Sequence, residues 1–399
     1  EILEELDNLK TRMDQVGASC RYVNRYLDQL RSQGNLMTGV KTDNNQCIFI
    51  SSDSDMSLLP HGLSDSVDNR IISVAASLIK QGKTATVVSR DISLRIRCDS
   101  LGIPAIDYEK NAGGAGDYFY DGVATVEVSK EVIEEFYAHG SVCIDDPNVV
   151  LYPNQGVVLK SGKSSALAMA EDQGIVRKLY YAGEKGFSVQ GIFPRSKEQV
   201  IALELLLDPE IHMVSLTGSA GSGKTMLSIA TAIQLLNDRK YKKIIISRPV
   251  QSTSKDIGFL PGDKKEKMAP WLQPIFDNIE VILSGRGKSY IDMMIEKGTI
   301  EIEALTYVRG RTLPNTIFII DEAQNITHHE AKALLTRMGE DSKIILLGDL
   351  EQIDSTSLDQ RTSGLSSVVD LFKEFDRSGH VRLKKGERSE LATYAAKVM

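Results

Sequence analysis

Gly218-Ser219-Ala220-Gly221-Ser222-Gly223-Lys224-Thr225 decides the reading of this chain, because it meets the G-x-x-x-x-G-K-[ST] pattern in the context that pattern needs. Before it, Met213-Val214-Ser215-Leu216 reads as a short buried strand; after it, Met226 to Leu236 carries apolar residues at helical spacing. Strand, glycine-rich loop and helix N-terminus together turn backbone N–H groups toward an anion, and the helix adds positive partial charge. In such a loop Lys224 reaches the β- and γ-phosphates of a nucleoside triphosphate, and the Thr225 hydroxyl is offered to Mg²⁺. Gly218, Ser219, Ala220, Gly221, Ser222, Gly223 and Met226 complete the expected cradle. The bland alternative is an ordinary turn between strand and helix.

A second stretch supports the nucleotide reading. Thr316-Ile317-Phe318-Ile319-Ile320 is an apolar, β-branched run ending in Asp321-Glu322-Ala323-Gln324, which places two carboxylates at the carboxyl end of a buried parallel strand. At this Walker B position Asp321 holds Mg²⁺ through its water shell, and Glu322 polarises the water that attacks the γ-phosphate. Otherwise the two are solvated residues opening a loop. A third strand, Lys343 to Leu347, leads into Gly348-Asp349-Leu350-Glu351-Gln352, where Gln352 is placed to report a γ-phosphate.

At 399 residues and 42% hydrophobic content the chain holds two or three ordinary cores. No run approaches 18 consecutive apolar residues, and no basic start is followed by an apolar stretch, so the expectation is a cytoplasmic protein with no membrane partner. Cys20, Cys47, Cys98 and Cys143 lie far apart, without C-x-x-C or zinc spacing, which fits a reducing compartment. The net charge of −7 argues against wholesale coating of nucleic acid, but charge is uneven. Asp117 to Asp146 holds eight carboxylates and one lysine, whereas Asp238 to Lys255 holds six basic residues and one acid, so local patches remain available to phosphates.

Three regions follow. Residues 1–110 alternate helix and strand as a small α/β domain: an amphipathic start, a strand Cys47 to Ile50, a helix Val67 to Gln81, a strand Thr84 to Val88 and a helix ending near Gly102. Residues 111–190 form a small β-rich domain of short antiparallel strands, entered through a linker at Gly113 to Gly116. In 191–399 the strand and helix alternation of a doubly wound parallel sheet returns. Thr327 and Glu330 make a capping box for a helix Thr327 to Met338 stopped by Gly339, which leaves His328 and His329 as exposed first-turn residues.

The C-terminal half resembles the PhoH ATPases, relatives of superfamily-one helicases. The resemblance rests on Gly218 to Thr225, on Ser247-Arg248-Pro249-Val250 leading into Gly258-Phe259-Leu260-Pro261-Gly262-Asp263, and on Tyr307 to Leu313, Asp321 to Asn325 and Gly348 to Gln352. Upstream, Glu4-Glu5-Leu6-Asp7, Asp68-Asn69-Arg70-Ile71-Ile72 and Ser89-Arg90-Asp91-Ile92-Ser93-Leu94 resemble a PIN nuclease domain, so the whole chain is similar to a PIN-PhoH fusion. The resemblance implies a RecA-like P-loop domain at the C-terminus and ATP-driven RNA unwinding coupled to RNA cleavage. It also implies a hexameric ring in which a neighbouring subunit completes the ATP site, with Arg309, Arg311 and Arg388 as candidate trans arginines.

A two-metal hydrolytic site needs carboxylates converging on cations about 4 Å apart. Glu5, Asp68 and Asp91 have suitable chemistry for Mg²⁺ or Mn²⁺, although Glu5 also reads as an exposed helix residue and Asp68 and Asp91 as helix N-caps. PIN domains open with a strand carrying an aspartate, and the sequence starts at Glu1, past that position; weak or absent RNA cleavage is therefore expected. Gln199 sits upstream of the phosphate loop, as do helicase glutamines that read adenine, or else it is an exposed helix residue. Trp271, between Pro270 and Pro274, is a packed loop anchor or a base-stacking platform. Arg388 binds the γ-phosphate or decorates a surface helix. Two further functions stay open: an RNA- or protein-binding ATPase switch without unwinding, its PIN module inert, and a nucleotide or small-molecule kinase, disfavoured because Asp321-Glu322 supplies a water-activating base.

Overall fold

The computed structural model describes residues 2–12, 15–42, 46–51, 54–60, 64–89, 91–106, 120–184, 186–249, 264–283, 288–308, 310–355 and 358–384. Two compact units divide the chain, Glu1–Gly116 and Asp117–Met399. The first contains α1 (Ile2–Leu9), α2 (Gln15–Gln33), β1 (Val40–Lys41), β2 (Cys47–Ile48), α3 (Val67–Lys80), β3 (Val87–Val88), α4 (Ile92–Ser100) and β4 (Ala105–Ile106). β1 pairs antiparallel with β2, and β3 pairs parallel with β4. Ile72, Ala75, Val87, Leu94 and Cys98 form its core. The α3 helix starts at Ser66, whose hydroxyl accepts from the Asn69 N–H, so Asp68 is a first-turn residue and not the cap. Asp91 does cap α4, its carboxylate accepting from the Ser93 and Leu94 N–H groups. The strands are shorter than their apolar runs suggest.

The second unit begins with β5 (Val123–Glu127), α5 (Lys130–His139), β6 (Ser141–Cys143), β7 (Gly156–Ser161), β8 (Ser164–Ala170) and β9 (Ile175–Arg177), which make a five-stranded sheet in the order β5-β7-β8-β9-β6. The expectation of antiparallel pairing holds for all but one pair. β5 and β7 run parallel, because α5 and its flanking loops give the chain length for a crossover.

There follow α6 (Lys197–Leu207), β10 (Met213–Gly218), α7 (Lys224–Asn237), β11 (Lys243–Arg248), α8 (Lys264–Ile282), α9 (Lys288–Glu296), β12 (Ile300–Ala304), α10 (Leu305–Val308), β13 (Thr316–Ile320), α11 (His328–Leu335), β14 (Lys343–Gly348), α12 (Gly364–Leu371) and β15 (Ser378–Leu383). The six strands are parallel, in the order β12-β11-β13-β14-β10-β15. Both faces are apolar: Ile317 and Ile319 of β13 point into one hydrophobic cluster with Leu227 and Ile229 of α7, while Phe318 and Ile320 point into a second with Leu334 of α11 and Leu365 of α12. Each such side chain stabilises the fold by about 1.5–3 kcal/mol. The expected capping box at Thr327 and Glu330 is present, and His328 and His329 are exposed. The helix ends at Leu335 instead of Met338, since the Gly339 N–H is drawn away to the Leu313 carbonyl.

The small sheet is knit into the large one. Asn154 Nδ2 donates to the Asp376 and Ser378 carbonyls, at 2.7 and 2.9 Å. Gly122, at φ +72°, lies so close to the His380 carbonyl that a Cβ there would sit 1.8 Å from the oxygen. Glu204 of α6 is 1% exposed and accepts from Arg177 Nη1 and from the N–H groups of Tyr180, Tyr181 and Ala182, at 2.7–3.0 Å. A carboxylate so buried is tolerable only because cation and donors replace its water. Lys343, fully buried at the start of β14, donates to the Leu205, Leu206 and Asp208 carbonyls and so satisfies the open end of α6.

Candidate nucleotide site

β10 and β13 are not neighbours; β14 lies between them, and their carboxyl ends open on one side of the sheet. Here the loop between β10 and α7 curls back on itself. Gly221 and Gly223 take φ of +78° and +91°, conformations that cost an L-residue about 1 kcal/mol or more, and the Ser222 N–H closes the loop onto the Ser219 carbonyl. Gln199 of α6 braces it. The Gln199 amide is 7% exposed, accepts from the Arg195 N–H at 2.7 Å and donates to the Ser222 carbonyl at 3.1 Å. It is thus a buried strut beside the loop rather than an exposed helix residue.

Lys224 reaches back over the loop, its Nζ donating to the Gly218 and Ser219 carbonyls at 2.5 and 3.0 Å. Thr225 Oγ1 donates to Asp321 Oδ1 at 3.2 Å, joining the first turn of α7 to the end of β13 across 96 residues of sequence. Asp321 is 8% exposed, and burial, with Glu322 beside it, raises its carboxyl above the usual range; Arg248, Thr225 and Lys224 act the other way. Next along the chain, Glu322 sits in the left-handed region at φ +55° and ψ +37°. Both of its oxygens have donors: Oε1 takes Arg248 Nη2 at 2.8 Å and Oε2 takes Gln324 Nε2 at 2.6 Å.

Around these groups lies a cleft of about 740 Å³, lined by the loop residues Ala220, Gly221 and Gly223, by Lys224, Thr225 and Met226, and by Arg248, Asp321 and Glu322. Gln199, Arg195 and the 57% exposed Phe193 also line it. Gly218, Ser219 and Ser222 belong to the loop wall, through carbonyls offered to Lys224 and Gln199.

Other expected site residues fall elsewhere. The Gln352 side chain is exposed and outside the cleft lining; what links it to the site is its backbone carbonyl, which accepts from Gln324 Nε2 at 2.9 Å. Gln324 Oε1 in turn accepts from the Asp349 N–H, so Gln324 ties the end of β14 to Glu322. Arg311 is paired with Glu301 at 3.2 Å and Glu303 at 3.4 Å on the edge strand β12, away from the cleft. Arg309, Arg388, Arg90, the Gly113–Gly116 linker and the Trp271 side chain lie outside the described residues, although the Trp271 backbone is in α8 and not in a loop.

The three N-terminal acids are not gathered. Glu5 is exposed on α1, Asp68 pairs with Arg97 at 2.5 Å, and Asp91 is engaged with α4; among the described residues no three His, Cys, Asp or Glu side chains are grouped to hold a metal. The described residues therefore do not fit the two-cation set. At the cleft the donor chemistry does fit one hard cation: a hydroxyl and a buried carboxylate side by side, Thr225 and Asp321.

Sequence reasoning assigned no role to Arg248, Gln324, Arg195 or Phe193. Arg248 had a legible signal, since it ends a β-branched run at the carboxyl edge of a strand; the contacts of Gln324 depend on strand order and had none.

A parallel sheet with a glycine-rich phosphate loop, a facing Asp-Glu pair and one cation-ready corner defines a P-loop ATPase domain. The PhoH-like protein family model matches residues 191–398 and a PIN domain model matches residues 1–109, and the chain belongs to the PhoH-like family, in the form that carries a PIN domain. Protein PhoH2 of Bacillus subtilis (strain 168) is 40% identical over 100% of this chain and 93% of its own length. Protein PhoH2 of Thermobispora bispora is 32% identical over 100% of this chain and 89% of its own. Among solved structures, the Pif1 helicase from Candida albicans aligns at 20% identity over 52% of this chain and 43% of its own, with a TM-score of 0.28. No helix among the described residues is long and apolar enough to cross a membrane.

Proposed function

We propose that the chain hydrolyses ATP and uses the cycle to unwind or remodel RNA, as a homo-oligomer, most simply a hexamer, with the PIN domain as an attached ribonuclease module. The observation that carries the ATPase reading is the contact of Thr225 with Asp321 at 3.2 Å, with Lys224 and Glu322 in the same cleft. Lys224 exchanges the Gly218 and Ser219 carbonyls for the β- and γ-phosphates. Mg²⁺ held by Thr225 and through water by Asp321 would neutralise charge building on the β,γ-bridge. Glu322 orients and deprotonates the attacking water, and Phe193 offers a face on which the base stacks. Gln324 connects Glu322 to the end of β14, so a shift there reaches the reacting water.

RNA as the partner rests on family membership and on the basic run Arg239 to Lys243. A specific observation favours a second reading of the N-terminal half: with Asp68 paired to Arg97 and Asp91 capping α4, the PIN module binds without cutting. The deciding measurement is ATPase rate against added single-stranded RNA, followed by strand displacement and metal-dependent cleavage on the same preparation. A several-fold rise in phosphate release is expected. An RNA-independent rate would refute RNA coupling, and stimulation without displacement would leave an RNA-dependent switch.

A further inference from the structure

In the described cleft Lys224 and Arg248 are both engaged by the protein itself. Lys224 lies on loop carbonyls, and Arg248, the last residue of β11, is paired with Glu322 at 2.8 Å. The second pairing has the greater chemical consequence. Glu322 is the residue that must accept a proton or orient water, yet one of its oxygens carries a guanidinium and the other the Gln324 amide. A carboxylate held this way has its lone pairs already directed at donors and not at a water. Its backbone sits in the left-handed region, a conformation that costs a non-glycine residue about 1 kcal/mol or more.

Neither side chain is sealed in. Arg248 and Glu322 are 25% and 31% exposed, and both line the cleft that Lys224 and Thr225 enter. β11 pairs directly with β13, with Ser247 opposite Ile320, so Arg248 and Asp321 leave adjacent strand ends side by side. An arginine there faces two anions in turn: Glu322, and whatever phosphate lies beyond the β-phosphate held by the loop. A terminal phosphate carries more charge than one carboxylate and offers the guanidinium two oxygens in a matching plane.

We propose that Arg248 exchanges partners during the cycle, from Glu322 in the empty cleft to the γ-phosphate of a bound nucleoside triphosphate, and that this exchange frees Glu322 to act on water. Resting on the ATPase reading above, it adds that the site carries a γ-phosphate arginine of its own in cis. It also makes base release conditional on a third phosphate: a diphosphate fills the loop and leaves Arg248 on Glu322. No bond is made or broken in the exchange; two ion pairs trade one partner.

The test compares the full chain with Arg248→Ala, Arg248→Gln and Arg248→Lys, each checked for an unchanged thermal midpoint. ADP and a non-hydrolysable ATP analogue are titrated, and single-turnover hydrolysis is timed. The expected result for Arg248→Ala and Arg248→Gln is ADP affinity within about twofold of the parent, analogue affinity weakened about tenfold or more, and a hydrolysis step slowed by about 10²- to 10³-fold. Arg248→Lys recovers part of the analogue affinity and little of the rate, because a point charge replaces a two-pronged donor. Faster hydrolysis with unchanged analogue affinity would show that Arg248 only restrains Glu322, and would overturn the exchange. Equal loss of ADP and analogue affinity, or a parent-like rate, would overturn it as well. If the parent binds neither nucleotide, the ATPase reading itself has failed; if it binds without hydrolysing, the affinity arm still decides the role of Arg248.

Discussion

Lys224 and Glu322 stand in the same cleft, and if they act on phosphate and on water as proposed, their substitutions should separate. With Lys224 as the proposed holder of phosphate charge, Lys224→Ala is expected to abolish hydrolysis together with most triphosphate affinity. Glu322→Gln keeps the shape and the Gln324 contact while removing the base; it should bind ATP within a few-fold of the parent and turn over about 10²- to 10⁴-fold more slowly. Parent-rate hydrolysis by Glu322→Gln would remove the Walker B assignment. A second residue-scale prediction concerns His380 of β15. It is 5% exposed, with Nδ1 on Ser215 Oγ at 2.8 Å, and burial lowers its imidazole to about 4 from an ordinary 6.5. Above about pH 6.5 the ring is neutral folded and unfolded, and its contribution is intact. As pH falls through the window from 6.5 to 4, the unfolded chain takes the proton first and stability drops, by about 2 kcal/mol at pH 5. Denaturant midpoints at pH 7 and 5 should therefore diverge more for the parent than for His380→Gln; equal pH slopes would contradict the assignment.

Helices and strands explain why residues of the same type have different duties. Asp91 and Asp321 are both carboxylates beside the end of a strand, but the Asp91 carboxylate is spent on the first N–H groups of α4, whereas Asp321 meets a hydroxyl and an open cleft. Asp91→Ala should then behave as loss of a helix cap, lowering the stability of the N-terminal unit by about 1 kcal/mol, while Asp91→Asn, which keeps the acceptor, costs much less. Urea unfolding of the two variants distinguishes them. Identical stabilities combined with loss of a metal-dependent activity would mean that Asp91 is a metal ligand and that its cap is incidental. Edge strand β12 gives Arg311 its duty in the same way, because Glu301 and Glu303 stand within ion-pair reach of it.

For the whole molecule the question is what completes the ATP site. Arg311 is paired on β12 but 41% exposed, so Arg309, Arg311 and Arg388 all stay candidates for the arginine that a neighbouring subunit would supply. If hydrolysis needs such a neighbour, mixing Lys224→Ala subunits with Arg309→Ala, Arg311→Ala or Arg388→Ala subunits should restore part of the activity, since some interfaces then pair an intact loop with an intact arginine. The measurement is ATPase rate against mixing ratio, beside the oligomeric state at each concentration. Full activity of a dilute monomer, or no recovery in any mixture, would sink the assembly proposal and leave Arg248 as the arginine of the site.

The sequence by itself determined the elements that depend on local pattern. Ile317 to Ile320 read as a strand buried on both faces because no polar residue interrupts the run, and the phosphate loop read as such because its glycines, lysine and threonine follow one another directly between a strand and a helix. The capping box at Thr327 was legible for the same reason, being a contact across one turn. What the tertiary structure decided is which distant residues meet. Only the strand order β12-β11-β13-β14-β10-β15 sets Arg248 against Glu322, ties Gln324 to the end of β14 and turns the Gln352 side chain outward. Residue spacing carries no direct record of that order, because strands separated by helices are free to pair in several sequences until both faces of the sheet are covered. The N-terminal acids show the same division: the Asp91 cap is a contact across one turn and was legible, whereas the pairing of Asp68 with Arg97 arises only once the chain is folded.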